Sequence, residues 1–345
     1  MLNFGILIGA LIGIFIGIYF GLSTNEPSHP VKRWDMPVAY SNGNYHTQMG
    51  KKFAREIGLC TNNTVEIIVH GSGSLFKGHE IKRAIQTGQV PIGERLLSSH
   101  FNEKPLFAFD SMPFITKNFE EVDLLWQVAR PVIEKELDDE GMVLLYSAPW
   151  PPQGIYFSHT VDTMDELQGI RLRTYSSLIG RIAELSGMVP VQIESAELNQ
   201  ALAIGVVNAM MASLSTGYDR KVWEHLDYYY DLQAWMPRNY VFANKEKFNG
   251  LTDDEQQCFH QVAENIEKQV TLKTIELTQW YRGEVEKNGI KILNAPPELA
   301  EGMQVIGRQI VDEWLEETGD TGRKIINDFY AARDKQSMIG GSDAR

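Results

Sequence analysis

Two apolar spacings alternate along most of this 345-residue chain. Runs with apolar residues four apart predict amphipathic helices, and short apolar or alternating runs between them predict strands. "MPVAYS" and "TVEIIVH" read as strands. Between them, "HTQMGKKFAREIG" sets Met49, Phe53 and Ile57 on one helical face, with Gly58 suited to its end. "HEIKRAIQTG" reads as a helix closed by Gly88. Asn118 with Glu121, and Thr252 with Glu255, carry the cap spacing of helix starts. "MVLLYSAPW" and "IRLRTY" are further strands, and the last third is mostly helical. Strands alternating with helices predict βα units and open, largely parallel sheets, which take ligands at the carboxyl ends of their strands.

Residues 4–22, "FGILIGALIGIFIGIYFGL", break this alternation with an unbroken apolar run. As a helix it would extend about 28 Å, enough to span a bilayer. Gly5, Gly9, Gly13, Gly17 and Gly21 draw one stripe down such a helix, a pattern that lets membrane helices approach closely. Two readings follow. Gly21 and Ser23 suit cleavage of a signal peptide after Ser23. A retained anchor is the other, although Lys32 and Arg33 after it would favour a cytoplasmic body by the positive-inside rule.

Length and 43% hydrophobic content permit a sizeable core in two domains or lobes. The formal charge of -13 excludes a basic nucleic-acid face, so any anionic ligand must be drawn by a few local cations. Cys60 and Cys258 belong to no CxxC pair, and a count of two indicates no redox compartment; a disulfide between them would need an oxidising space and is the less favoured of two states that the sequence leaves open. The eight histidines lack metal-ligating spacing, and no metal or cofactor is expected.

"VEIIVHGSGSLFKG" starts like a phosphate-binding turn and fails. Phe76 stands where a dinucleotide motif needs glycine, and Phe76-Lys77-Gly78 is not a P-loop. It reads as a flexible turn at a strand end. No serine sits on a nucleophile elbow, and the acidic pairs Asp138–Asp139 and Asp253–Asp254 fall in solvated helical stretches, so no enzyme is predicted.

Arginine keeps its charge, so one at the end of a strand needs an anion. In "LQGIRLRTYSS", Arg171 and Arg173 share one strand face; Arg171 reads as a surface residue, and Arg173 ends the strand at the cleft side. Its planar fork suits a carboxylate, either from a ligand or from one of the chain's 45 acidic residues. "APWPPQGIYFSH" gathers Trp150, Gln153 and Tyr156 around two prolines, and reads either as ordinary packing or as a stiff crossover facing a cleft. "YYYDLQAWMPRNY" is a second aromatic cluster.

The chain resembles the extracytoplasmic solute-binding proteins of tripartite ATP-independent periplasmic (TRAP) transporters, the DctP type, over roughly residues 33–335. The segments carrying this are "LQGIRLRTY", "SAELNQALAIGVVNA", "GSGSLFKGHEIKRAIQTGQVPIG" and "DSMPFI". The resemblance implies an α/β, two-lobe periplasmic-binding-protein fold, type II-like, with long helices in the C-terminal third. It implies an exported periplasmic monomer that captures an organic acid and delivers it to small and large TRAP permease subunits. A membrane-anchored receptor or sensor is the alternative, with residues 4–22 as its anchor.

The implied layout is a signal peptide or anchor at 1–23, a linker at 24–33 and a disordered tail at 336–345. One lobe takes 34–150 with part of 238–290, and the other 151–237 with part of 291–335. The family's carboxylate-binding arginine corresponds to Arg173. By position, Tyr40, Asn42, Ser74, Leu75, Arg95, Ser98, Trp150, Gln153, Tyr156, Ser213, Trp235 and Asn239 join it. The family's D-G-x-E-N-P reads "NAMMAS" here, which puts Ala212 where a ligand-touching asparagine often stands. Gln153 replaces a second arginine found in some members. Fewer cations and more aromatics imply a monocarboxylate with an apolar or aromatic body.

Overall fold

The computed structural model describes residues 31–340, with side chains described as far as residue 336. The run at 4–22, its two readings and most of the linker lie outside the described residues. Strand β1 (Lys32–Pro37) starts inside the stretch assigned to the linker and runs parallel to β2 (Val65–His70), with helix α1 (Tyr45–Cys60) between them. Then come α2 (Gly78–Gln86), β3 (Ile92–Leu96), α3 (Phe119–Asp139) and β4 (Met142–Pro149).

The chain crosses over into β5 (Gln153–Phe157), β6 (Arg171–Thr174), α4 (Ser177–Leu185) and β7 (Val189–Gln192). There follow α5 (Leu198–Ala203), β8 (Ala209–Ser213), α6 (Leu214–Asp219) and β9 (Tyr228–Tyr230). It returns as β10 (Arg238–Asn244), α7 (Lys245–Asn249) and α8 (Asp253–Lys287), then ends with β11 (Lys291–Leu293) and α9 (Pro297–Gly340).

Two lobes result. In the first, β3, β10 and β4 form a sheet, and the bridge from Val38 to Glu94 attaches the β1–β2 pair. The second holds six strands in the order β11-β9-β5-β8-β6-β7. The expected largely parallel sheets are mixed instead: β10 is antiparallel to both neighbours, and β5 is antiparallel to β8 and β9. Spacing predicts a strand but carries no record of the direction from which a long excursion brings the chain back. The two crossovers run side by side, with Trp150 N donating to Pro237 O and Gln153 N to Trp235 O.

The helix starts read from local spacing are present as such. Asn118 accepts from Glu121 N, and Thr252 and Glu255 form a reciprocal capping box. The tail expected to be disordered from 336 remains helical to Gly340. Ile325, Ile326 and Phe329 bury one face of α9, and an anchored helix propagates past its last buried residue because each added residue gains a hydrogen bond. Residues 341–345 lie outside the described residues. Gly319, at φ 60°, kinks α9 where a side chain would be strained.

The state of the two cysteines, open in the sequence with a disulfide the less favoured reading, is that disulfide: Cys60, at the end of α1, is bonded to Cys258 in the first turns of α8. A separation of 198 residues leaves no local signal for it. Such a bond belongs to an oxidising compartment. The Cys60→Ser/Cys258→Ser protein is expected to lose about 2–4 kcal/mol of unfolding free energy. Urea unfolding of the two proteins, with and without reductant, checks this; only the native protein should respond to reductant.

Candidate ligand-binding site

Strand β6 sends its two arginines to different fates. Arg171 is exposed, and its guanidinium donates from Nε to Val206 O (3.0 Å) and from Nη2 to Gly205 O (2.8 Å). Arg173 is 3% exposed. Its Nε donates to Ile193 O at 2.9 Å, and its Cζ lies 5.4 Å from the centroid of the Tyr175 ring. Among the described residues its terminal nitrogens have no hydrogen-bond partner, and no carboxylate stands within 4.0 Å. Burial pulls its pKa down to about 10, against an upward pull from Glu194 and Tyr175. It stays charged at neutral pH, a buried cation without a counter-ion of its own.

The guanidinium faces a cavity of about 50 Å³, measured as space open to the centre of a water molecule. On that measure one water needs about 10–15 Å³, so the space suits a small organic molecule. Strand ends from both lobes converge on it: Tyr40 after β1, Arg95 and Leu96 on β3, Trp150 after β4, Gln153 on β5. From the second lobe come Arg173, Tyr175, Glu194, Ser195, Ala212 and Thr216.

Arg95 has what Arg173 lacks. Its Nη2 lies 3.1 Å from Glu194 Oε1 and its Nη1 3.5 Å from Oε2, a forked pair that joins β3 of the first lobe to the loop after β7 of the second. Burial pushes the Glu194 carboxyl up, but Arg95 and then Arg173 outweigh it and hold the carboxyl below its usual range. The wall thus carries two arginines against one carboxylate, an excess of one positive charge.

Asn239 organises the aromatic side. Its Oδ1 accepts from Trp150 Nε1 at 2.8 Å and from Tyr40 Oη at 3.2 Å, and its Nδ2 donates to Glu94 Oε1 at 2.8 Å. His46 stacks behind Trp150 with ring centroids 4.1 Å apart. With their polar atoms committed to Asn239, Tyr40 and Trp150 offer the cavity mainly ring surface.

Of the sequence-derived residues, Arg173, Tyr40, Arg95, Trp150 and Gln153 line the cavity. Asn239 and Trp235 stand one layer behind; Trp235 Nε1 donates to the Tyr175 hydroxyl at 3.1 Å. The others lie off the wall. Asn42 accepts from Lys51 Nζ, and Ser74 and Leu75 are exposed on the glycine turn. Ser98 is buried while its neighbour Ser99 lines the cavity. Ser213 caps α6 through Thr216 N, and Tyr156 donates to Ser213 O.

Position after a strand end could not say which of two consecutive serines faces inward. Tyr175 was legible as part of the loop that ends β6; Glu194 carried no local signal. A larger groove of about 1070 Å³ beside α1, α6 and α8 is open at the surface and lined by a mixture of aromatic residues, such as Tyr218, Trp280 and Tyr281, and charged ones of both signs. The smaller cavity is the candidate site because the uncompensated charge is there.

Replacing Asn239 by alanine strands the buried Trp150 and Tyr40 donors and removes a hydrogen bond from Glu94. The expected cost is about 3 kcal/mol or more of stability, since three buried bonds are lost at about 1–3 kcal/mol each. Chemical unfolding monitored by tryptophan fluorescence measures it.

Residues 38–318 match the model of the bacterial extracellular solute-binding protein, family 7. A TRAP solute-binding protein of an unidentified microbe from a marine metagenome, crystallised with co-purified pyroglutamate, is 44% identical. The match covers 88% of this chain and 99% of that one, with a TM-score of 0.86. A Bordetella pertussis extracytoplasmic solute receptor that binds pyroglutamic acid is 36% identical, over 87% of this chain and 100% of that one, at a TM-score of 0.86. A Haemophilus influenzae TRAP periplasmic solute-binding protein with L-gulonate is 17% identical over 87% of this chain and 99% of that one; at a TM-score of 0.81 it shares the fold. These are receptors that hold a solute rather than enzymes. A buried arginine without a protein counter-ion, set between two lobes, has the place a captured acid needs, and the chain belongs to the bacterial extracellular solute-binding proteins, family 7.

Proposed function

We propose that this protein captures pyroglutamate, or a similarly small cyclic monocarboxylate, in the periplasm and hands it to the membrane subunits of a TRAP transporter. The observation that carries this reading is Arg173, buried at 3% exposure with terminal nitrogens that have no partner among the described residues. A carboxylate there would gain two charge-assisted hydrogen bonds from a guanidinium that is itself largely out of water. The excess of one positive charge on the wall matches one carboxylate and leaves a second unbalanced.

The body of the ligand follows from the rest of the wall. Tyr40 and Trp150 give ring faces suited to a flat ring, and Gln153, whose Nε2 already donates to Pro151 O at 2.9 Å, has its Oε1 and second amide N–H left to complement the N–H and C=O of a lactam. A polyhydroxylated sugar acid would require many more hydrogen-bonding partners than these surfaces give. The relatives at 44% and 36% identity that hold pyroglutamate support the same choice. The disulfide supports an oxidising compartment.

Isothermal titration with pyroglutamate, glucuronate and succinate tests the reading; pyroglutamate should bind tightest. Arg173→Ala should weaken it by about 100-fold or more, the usual loss when one partner of a buried charge pair is truncated. Its melting temperature without ligand should stay level or rise, because a buried uncompensated charge has been removed. Unchanged affinity in Arg173→Ala would place the acid elsewhere.

A further inference from the structure

We infer that Glu194 sets the charge selectivity of this site: by forking onto Arg95 from the opposite lobe, it leaves Arg173 as the cavity's one unmatched cation and so restricts the ligand to a single carboxylate. This rests on the reading of the cavity as a carboxylate site and adds the residue that counts its charges.

The geometry of the pair is built rather than incidental. Arg95 is 3% exposed, so its charge is held largely out of water, where like charges repel and unlike charges attract most strongly. Helix α2 brings its first residue, Gly78, against both partners: a Cβ there would stand 2.5 Å from Arg95 Nη1 and 2.5 Å from Glu194 Oε2. Any larger residue would push one or both partners out of this fork. The glycine turn that resembles a phosphate loop in sequence therefore ends in a helix whose N-terminal turn faces a carboxylate of the protein itself.

Neighbouring charges are accounted for. Lys77 pairs with Glu197 at 3.2 Å, and His79 Nδ1 is exposed, 3.9 Å from Glu194 Oε1. Arg220 donates from Nε to Ser195 Oγ and has no ion pair within 4.0 Å among the described residues; its charge acts on Arg173 and is the same in the native protein and in every variant compared below. On the wall itself the count is Arg95, Arg173 and Glu194.

The roles are reciprocal. Glu194 cancels Arg95, and Arg95 keeps Glu194 from turning to Arg173 in place of the ligand. Removing the carboxylate leaves two cations, which suits a dicarboxylate. Removing Arg95 leaves a carboxylate free to compete for Arg173. Removing both restores one unmatched cation.

The test is calorimetric titration of pyroglutamate and glutarate, above neutral pH, into the native protein, Glu194→Gln, Arg95→Gln and the double variant. Glu194→Gln is expected to shift the ratio of the two dissociation constants toward glutarate by about tenfold or more, the scale of one charge mismatch in a desolvated site. Arg95→Gln is expected to lose pyroglutamate affinity by a similar factor, and the double variant to regain it with the native preference. A purely structural pair would not show this recovery, because two damaging changes would add or compound.

If native protein binds pyroglutamate and the ratio in Glu194→Gln stays within about threefold of native, Glu194 does not set selectivity, while the cavity reading stands. Should Glu194→Gln not fold, the Arg95→Gln loss and its recovery in the double variant decide the matter alone. If the native protein binds neither acid, the cavity reading fails and this inference with it.

Discussion

A guanidinium held out of water without its own counter-ion is the constraint on which the rest of this structure turns. Arg173 is fixed by a backbone carbonyl on one side and by the Tyr175 ring beneath, so the charge has a direction as well as a position. Two neighbouring arginines do have partners: Arg95 has Glu194 across the cleft, and Arg238 has Asp123. Burying an unmatched charge is unfavourable, and an anion supplied from outside the chain would offset that cost.

The aromatic wall shows the complementary strategy. Tyr40 and Trp150 are amphipathic, and either could have turned its polar atom toward a ligand. Asn239 claims both and is itself tethered to Glu94. One amide thus converts two hydrogen-bond donors into an apolar surface. The site's preference rests on where donors are withheld as much as on where they are offered.

Reading the sequence recovered what local physics fixes. Helix caps at Asn118 and Thr252 depend on residues three apart and were visible. Along β6, Leu172, Arg173 and Thr174 are buried in succession, so a period of two did not sort inside from outside. The two-lobe fold came with the family resemblance, which spans nearly the whole body. What stayed hidden depends on long returns of the chain. Glu194 reaches an arginine 99 residues earlier, and Cys258 a cysteine 198 residues earlier. The antiparallel entry of β10 is of the same kind. Asn239 was picked out by its place beside a strand end, but nothing local separates a residue on the wall from one just behind it.

The disulfide also has a mechanical meaning. Helix α8 packs against α1 and β4 in the first lobe and against α6 of the second, so it is the spar along which the two halves are mounted. Cys60 and Cys258 bolt the start of that spar to α1. With this end locked, the first lobe and the base of α8 move as one piece. The connection between the halves is otherwise the paired crossovers near Pro151 and Pro237, themselves joined by backbone hydrogen bonds. The covalent link thus makes the first lobe and the base of the shared spar a single mechanical unit.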